Sequence, residues 1–138
     1  MTLNQEEREE LIRYNIEKSH QAIEDVRFLI DNDKPHLAIS RIYYGTFYML
    51  SALALKYKFS SKKHKELIGW FNKNFIKNNI LEKKISKIIR LSFELRSEAD
   101  YDVTASFSKD EVENYFTDMK MAISSIEKFL ADSKDDPL

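Results

Sequence analysis

At 138 residues, 43% of them hydrophobic, the chain has the length of one domain and enough apolar side chain to close one core without metals or cross-links. Two glycines and two prolines are too few to turn a meander of strands, and the lack of cysteine excludes disulfides. The formal net charge of −1 hides an asymmetry: residues 51–100 carry twelve Lys or Arg against five Asp or Glu, so a basic middle lies between acidic flanks.

The first helix is expected from about Asn4 to Ile30. Asn4 and Glu7 have capping-box spacing, and Ile12, Ile16, Ser19, Ile23, Val26 and Ile30 form a four-three seam that faces a core. Asn32-Asp33-Lys34-Pro35 breaks that helix and opens the next, since proline is tolerated in a first turn. The second helix, about Pro35 to Tyr57, is apolar around most of its circumference and is expected at the centre of a bundle. Ser60-Ser61 is read as the start of a shorter third helix, ending near Lys77-Asn78, with Leu67, Ile68, Phe71 and Phe75 as its apolar stripe.

Asn79 and Glu82 again have capping-box spacing, and Leu81, Ile85, Ile88, Ser92 and Leu95 carry a fourth helix up to Arg96. Residues 101–107 lack periodicity and read as a loop. Ser108 and Glu111 then cap a fifth helix with Val112, Phe116, Met119, Ile123, Ile126 and Leu130 inside. The expectation is an all-α antiparallel bundle of four or five helices over residues 1–131, with a flexible acidic tail at 132–138. The polar, acidic start of the chain lacks the pattern of a secretory signal, and no apolar run is long enough to span a bilayer, so a cytoplasmic protein is expected.

Several chemistries find no residues. Gly45 and Gly69 both fall inside helices, so no glycine-rich turn cradles a phosphate. His20, His36 and His64 are far apart and no helical Glu-x-x-His pairing occurs, so neither a metal nor another cofactor is expected. A Gly-x-Ser-x-Gly elbow and a cysteine nucleophile are both missing.

Three polar segments stand out against this apolar frame: Ser40-Arg41-Ile42-Tyr43-Tyr44, Lys63-His64-Lys65, and Arg96-Ser97-Glu98-Ala99-Asp100-Tyr101. Arg41, Tyr44 and Tyr48 lie along one side of the second helix, with Tyr43 and Phe47 on the adjoining strip. An arginine in so apolar a helix needs an anion, and Asp100 or Glu98 is the structural partner expected for Arg41. Arg96, read at a helix C-terminus, would complement the helix dipole. His64 among its lysines reads either as an exposed histidine near a helix start or as a member of a phosphate-attracting face centred on residues 56–65.

In order and spacing these segments resemble the HEPN family (higher eukaryotes and prokaryotes nucleotide-binding), in particular its small stand-alone prokaryotic branch, over nearly the whole chain. In the HEPN ribonucleases an arginine is followed four to six residues later by a histidine, and two subunits join these pairs in a metal-independent cleft. The arginine holds the scissile phosphate and the histidine assists proton transfer. Arg96 matches that arginine, but Asp100 and Tyr101 stand where the histidine is expected. Tyrosine, with an ordinary pKa near 10, is a poor base at neutral pH. The resemblance thus offers Arg96 for phosphate, Asp100, Tyr101 or His64 for proton handling, and Arg41, Tyr44, Lys63 and Lys65 for substrate binding. It implies a homodimer acting on RNA as a toxin of a two-gene module. Alternatively it implies a non-catalytic subunit that docks a minimal nucleotidyltransferase and offers Tyr101 for modification.

Overall fold

A computed structural model describes residues 2–102 and 106–133, and these form five α-helices with no strand among them. α1 is Gln5–Asp31, α2 Pro35–Lys56, α3 His64–Phe71, α4 Lys83–Tyr101 and α5 Lys109–Asp132, with a π-helical turn at Asn72–Ile76 extending α3. The antiparallel bundle expected from periodicity is present. α2 is its axis, packing against α1, α3, α4 and α5. That position follows from composition, since α2 buries Ala38, Ile39, Ile42, Tyr43, Met49, Leu50, Leu53 and others around its circumference.

Two capping boxes are formed as their spacing requires. Asn4 Oδ1 accepts from the Glu7 N–H at 2.8 Å, and Ser108 Oγ accepts from the Glu111 N–H at 3.1 Å, each acid reaching back to the cap. Removing the second by Ser108→Ala is expected to cost about 1 kcal/mol in urea unfolding. α5 continues to Asp132 with Ser133 as its C-cap, and residues 134–138 of the expected tail lie outside the described residues.

The start of the third helix is corrected. Helix α3 does not begin at Ser60-Ser61, because Ser61 Oγ takes the Lys63 N–H at 3.1 Å in a local turn that delays the helix until His64. The chain then widens into the π-turn, where the Lys77 N–H bonds back to the Asn72 carbonyl at 2.9 Å. Phe71 and Phe75 are fully buried here, and Tyr57, Trp70 and Phe129 pack on Phe75.

Helix α4 departs from expectation at both ends. The Asn79 and Glu82 capping box is not formed; Asn79 sits at φ 58°, a left-handed conformation that asparagine tolerates, and closes the preceding turn. At the other end α4 runs on to Tyr101, so Arg96 is not at a C-terminus and the dipole account of it falls away. Of the expected loop at 101–107, Tyr101 is helical and residues 103–105 lie outside the described residues.

Candidate functional site

Three helices bring the polar segments together. Arg96 of α4 lies against two tyrosines of α2, its guanidinium carbon 5.6 Å from the Tyr43 ring centre and 5.2 Å from that of Tyr44. Its Nη2 donates to the Tyr44 hydroxyl at 2.9 Å. Asp100, one turn further along α4, places Oδ2 2.9 Å from Arg96 Nε as an ion pair, although that buried N–H is not aligned for a hydrogen bond. The guanidinium is thereby fixed on two sides with donors to spare, the arrangement that suits an arginine to bidentate phosphate recognition.

Arg41 also turns toward Tyr44, with its guanidinium carbon 5.9 Å from the ring centre. The expected pair between Arg41 and Asp100 is not what forms. Arg41 reaches Asp25 of α1 at 3.6 Å, while Asp100 is engaged by Arg96 of its own helix, where i,i+4 spacing brings the groups together. Arg41 Nε is buried without a hydrogen-bond partner. Two arginines from different helices therefore converge on one tyrosine ring, Arg96 closely paired with Asp100 and Arg41 more loosely with Asp25.

His64 joins the same cluster from the first turn of α3. Its Nδ1 is hydrogen-bonded to the Tyr43 hydroxyl, and its ring lies 4.1 Å from the Phe47 ring centre. Tyr43 is thus the hub, touching both His64 and Arg96 while only 1% exposed. The sequence places Tyr43 on the adjoining strip of α2 but carries no signal that it meets a residue 21 positions away on another helix. Burial, and secondarily the Arg96 charge, holds the His64 pKa below the usual 6.5. Burial likewise raises the Tyr43 pKa, against the opposing pull of Arg96, so its hydroxyl keeps its proton at neutral pH.

The lowered His64 pKa has a consequence for stability. Between the unfolded value near 6.5 and the lower native value, the unfolded chain binds the extra proton and the folded one does not. Acid therefore favours unfolding in that window. Wild type is expected to lose stability as pH falls from 7 through 6, and His64→Gln to lose less, by urea midpoints at each pH.

The remaining candidates are peripheral. Lys63 and Lys65 are exposed at the start of α3, with Lys63 Nζ 3.7 Å from Glu66. Tyr101 is 83% exposed at the end of α4. A cavity of about 430 Å³, lined by residues including Arg8, Ile12, Arg13, Ile16 and Leu130, belongs to α1, α5 and the end of α2, and includes none of the clustered residues. Among the described residues no three His, Asp or Glu side chains come together as a metal-ligand set, and no helix is long and apolar enough to cross a membrane.

Comparison with known proteins adds lineage to geometry. The family model described as HEPN domain matches residues 12–130. A UPF0332 protein of Thermotoga maritima is 31% identical over 128 residues, covering 93% of this chain and 97% of that protein. Two proteins of Methanocaldococcus jannaschii, named "Putative toxin MJ0142" and "Putative toxin MJ0605", are 33% identical over 115 residues and 31% over 128; the alignments cover 83% and 93% of this chain, and 78% and 94% of those proteins.

Proposed function

This chain belongs to the HEPN domain family, and from that premise we propose that it is a toxin-like protein that acts on RNA, with Arg96 as its phosphate anchor. The observation that carries this reading is the convergence of Arg96, Arg41 and His64 from three helices around Tyr43 and Tyr44. Paired guanidiniums beside the half-buried Tyr44 ring suit a phosphodiester with a stackable base next to it. Exposed Lys63 and Lys65 add sequence-independent attraction for a polyanion.

The reaction best matched to these groups is internal transesterification of RNA, which needs no resident cofactor. The 2′-oxygen attacks phosphorus, the P–O5′ bond breaks, a base takes the 2′ proton and the departing 5′-oxygen gains one from water. Arg96 would hold the non-bridging oxygens as charge builds on them. Asp100, paired with Arg96, is the carboxylate this reading assigns to receive the 2′ proton. Assembly as a homodimer belongs to this reading, and exposed Leu91 and Tyr101 on α4 offer surface for it.

A second reading is favoured by one observation. Tyr101, 83% exposed, is the more accessible of the two exposed large hydrophobic side chains on α4 and has a hydroxyl open to modification, as a subunit docking a nucleotidyltransferase would require. Expressing this chain alone in a bacterial host separates the two. Growth arrest with fragmented RNA supports the first. Normal growth with intact RNA, at confirmed levels of folded protein, removes it and leaves the docking subunit.

A further inference from the structure

We propose that Tyr43 is a positioning residue that holds His64 as the neutral Nε2–H tautomer, so that His64 serves as a hydrogen-bond donor to a phosphate oxygen beside Arg96 and not as a proton-transfer base. The inference deepens the RNA-directed reading above and rests on it for the identity of the phosphate.

The geometry assigns the proton. The Tyr43 hydroxyl and His64 Nδ1 share one hydrogen bond, and one of the two must donate. A phenol is a stronger acid than a neutral imidazole N–H, and an imidazole nitrogen is a better acceptor than a phenol oxygen. The bond therefore runs from Tyr43 O–H to Nδ1, which forces the ring proton onto Nε2. Tyr43 is held in place to make this bond, since it is buried, its ring packs on Phe93 at 5.7 Å between centres, and Arg96 lies against it. Phe47, one turn further along α2, also packs on the imidazole, with ring centres 4.1 Å apart. Nε2 has no hydrogen-bond partner among the described residues, so the face that remains available is an N–H donor.

The same arrangement argues against proton transfer by this ring. To act as a base, His64 would have to accept at Nε2, which carries the proton, or first flip its tautomer against the Tyr43 bond. To act as an acid, it would have to draw the Tyr43 proton across and leave a buried tyrosinate, which burial disfavours. A neutral donor that shares Tyr43 with the Arg96 guanidinium escapes both costs and would add a second, uncharged point of contact for a phosphate held by Arg96. This places the proton chemistry on Asp100 and assigns the histidine of the Lys63-His64-Lys65 segment a binding role.

Two measurements test the proposal, and the first does not depend on RNA activity. Long-range proton–nitrogen correlation spectra of ¹⁵N-labelled protein should show His64 protonated at Nε2 and not at Nδ1 at pH 7. Tyr43→Phe, which keeps the ring volume, should give a mixture of tautomers. Adding inorganic phosphate should shift the wild-type Nε2–H signal. Protonation at Nδ1, or no shift of Nε2–H at saturating phosphate, would overturn the assignment.

The second measurement compares two substitutions in RNA cleavage and binding. Glutamine can present an N–H near the Nε2 position but cannot transfer a proton in the neutral range. His64→Gln is expected to stay within about fivefold of wild type, whereas His64→Ala should lose about ten- to a hundredfold, the scale of one hydrogen bond to a charged group. Equal loss in both variants, with a wild-type pH inflection that both abolish, would return His64 to proton transfer. Should wild type neither bind nor cut RNA, the RNA-directed reading fails, while the tautomer and phosphate results still decide whether Tyr43 positions a donor.

Discussion

Arg96→Ala is expected to abolish growth arrest and to lower RNA cleavage by about 10²–10³-fold, the scale seen when one preorganised donor to a developing oxyanion is removed. The fold should survive. Asp100 is exposed, so once Arg96 is removed its carboxylate is solvated by water and leaving it unpaired costs little. Loss of the guanidinium from the faces of Tyr43 and Tyr44 adds about 1 kcal/mol more, because it removes a cation–π contact and the hydrogen bond to the Tyr44 hydroxyl. Arg96→Lys should recover only part of the activity, since an ammonium keeps the charge but not the planar fork. Arg41→Ala, at a residue paired with Asp25 and not with Asp100, should weaken RNA binding more than it slows cleavage. Circular dichroism and urea midpoints separate these effects from unfolding.

The largest stability effect is expected at Gly45. This glycine lies inside α2 where α1 crosses, and Ser19 Oγ of α1 donates to its carbonyl at 2.8 Å. A β-carbon there would stand 2.3 Å from Met119 Cε and 2.9 Å from Ala22 Cβ. The methionine end can swing away, but Ala22 has no such freedom, so the two helices would have to separate. Gly45→Val is expected to cost about 3 kcal/mol, or about 10 °C in melting temperature for a chain of this size. Gly69 in α3 is the contrast, with nothing within 4 Å of an added β-carbon. Gly69→Ala should therefore stabilise by about 0.5–1 kcal/mol through helix propensity alone. Thermal unfolding of both variants checks the pair, and equal effects of the same sign would contradict the packing account.

These two glycines show where periodicity informs and where it stops. The repeats around them place both in helices, yet nothing in those repeats distinguishes a glycine required by a crossing helix from one facing open space. The α1 seam of Ile12, Ile16, Ser19, Val26 and Ile30 is legible because a four-three repeat is a local property. Capping boxes are legible at Asn4 and Ser108, where the spacing meets the start of a real helix. The same spacing at Asn79 misleads because that residue closes the turn after the π-helical segment in a left-handed conformation, which an asparagine can do as readily as it can cap.

The site divides along the same line. Arg96 is identifiable from its motif, and its i,i+4 relation to Asp100 follows from helical geometry. The partner of Arg41 is not, since the choice of Asp25 over Asp100 depends on how α1 and α4 pack on α2. The contact of His64 with Tyr43 depends on where α3 begins, which a single serine hydroxyl at position 61 decides by holding the chain in a turn. Such contacts are set by tertiary packing, and composition and periodicity are silent about them.

The most direct test of Arg96 as phosphate anchor is cleavage of cellular RNA by the purified chain in excess EDTA, with Arg96→Ala as the folded control. Fragments ending in 2′,3′-cyclic phosphate should form under chelation with wild type and disappear with the variant. Intact RNA with well-folded wild type, or fragments that persist in Arg96→Ala, would contradict the assignment of Arg96 as the phosphate anchor of an RNA-cleaving site.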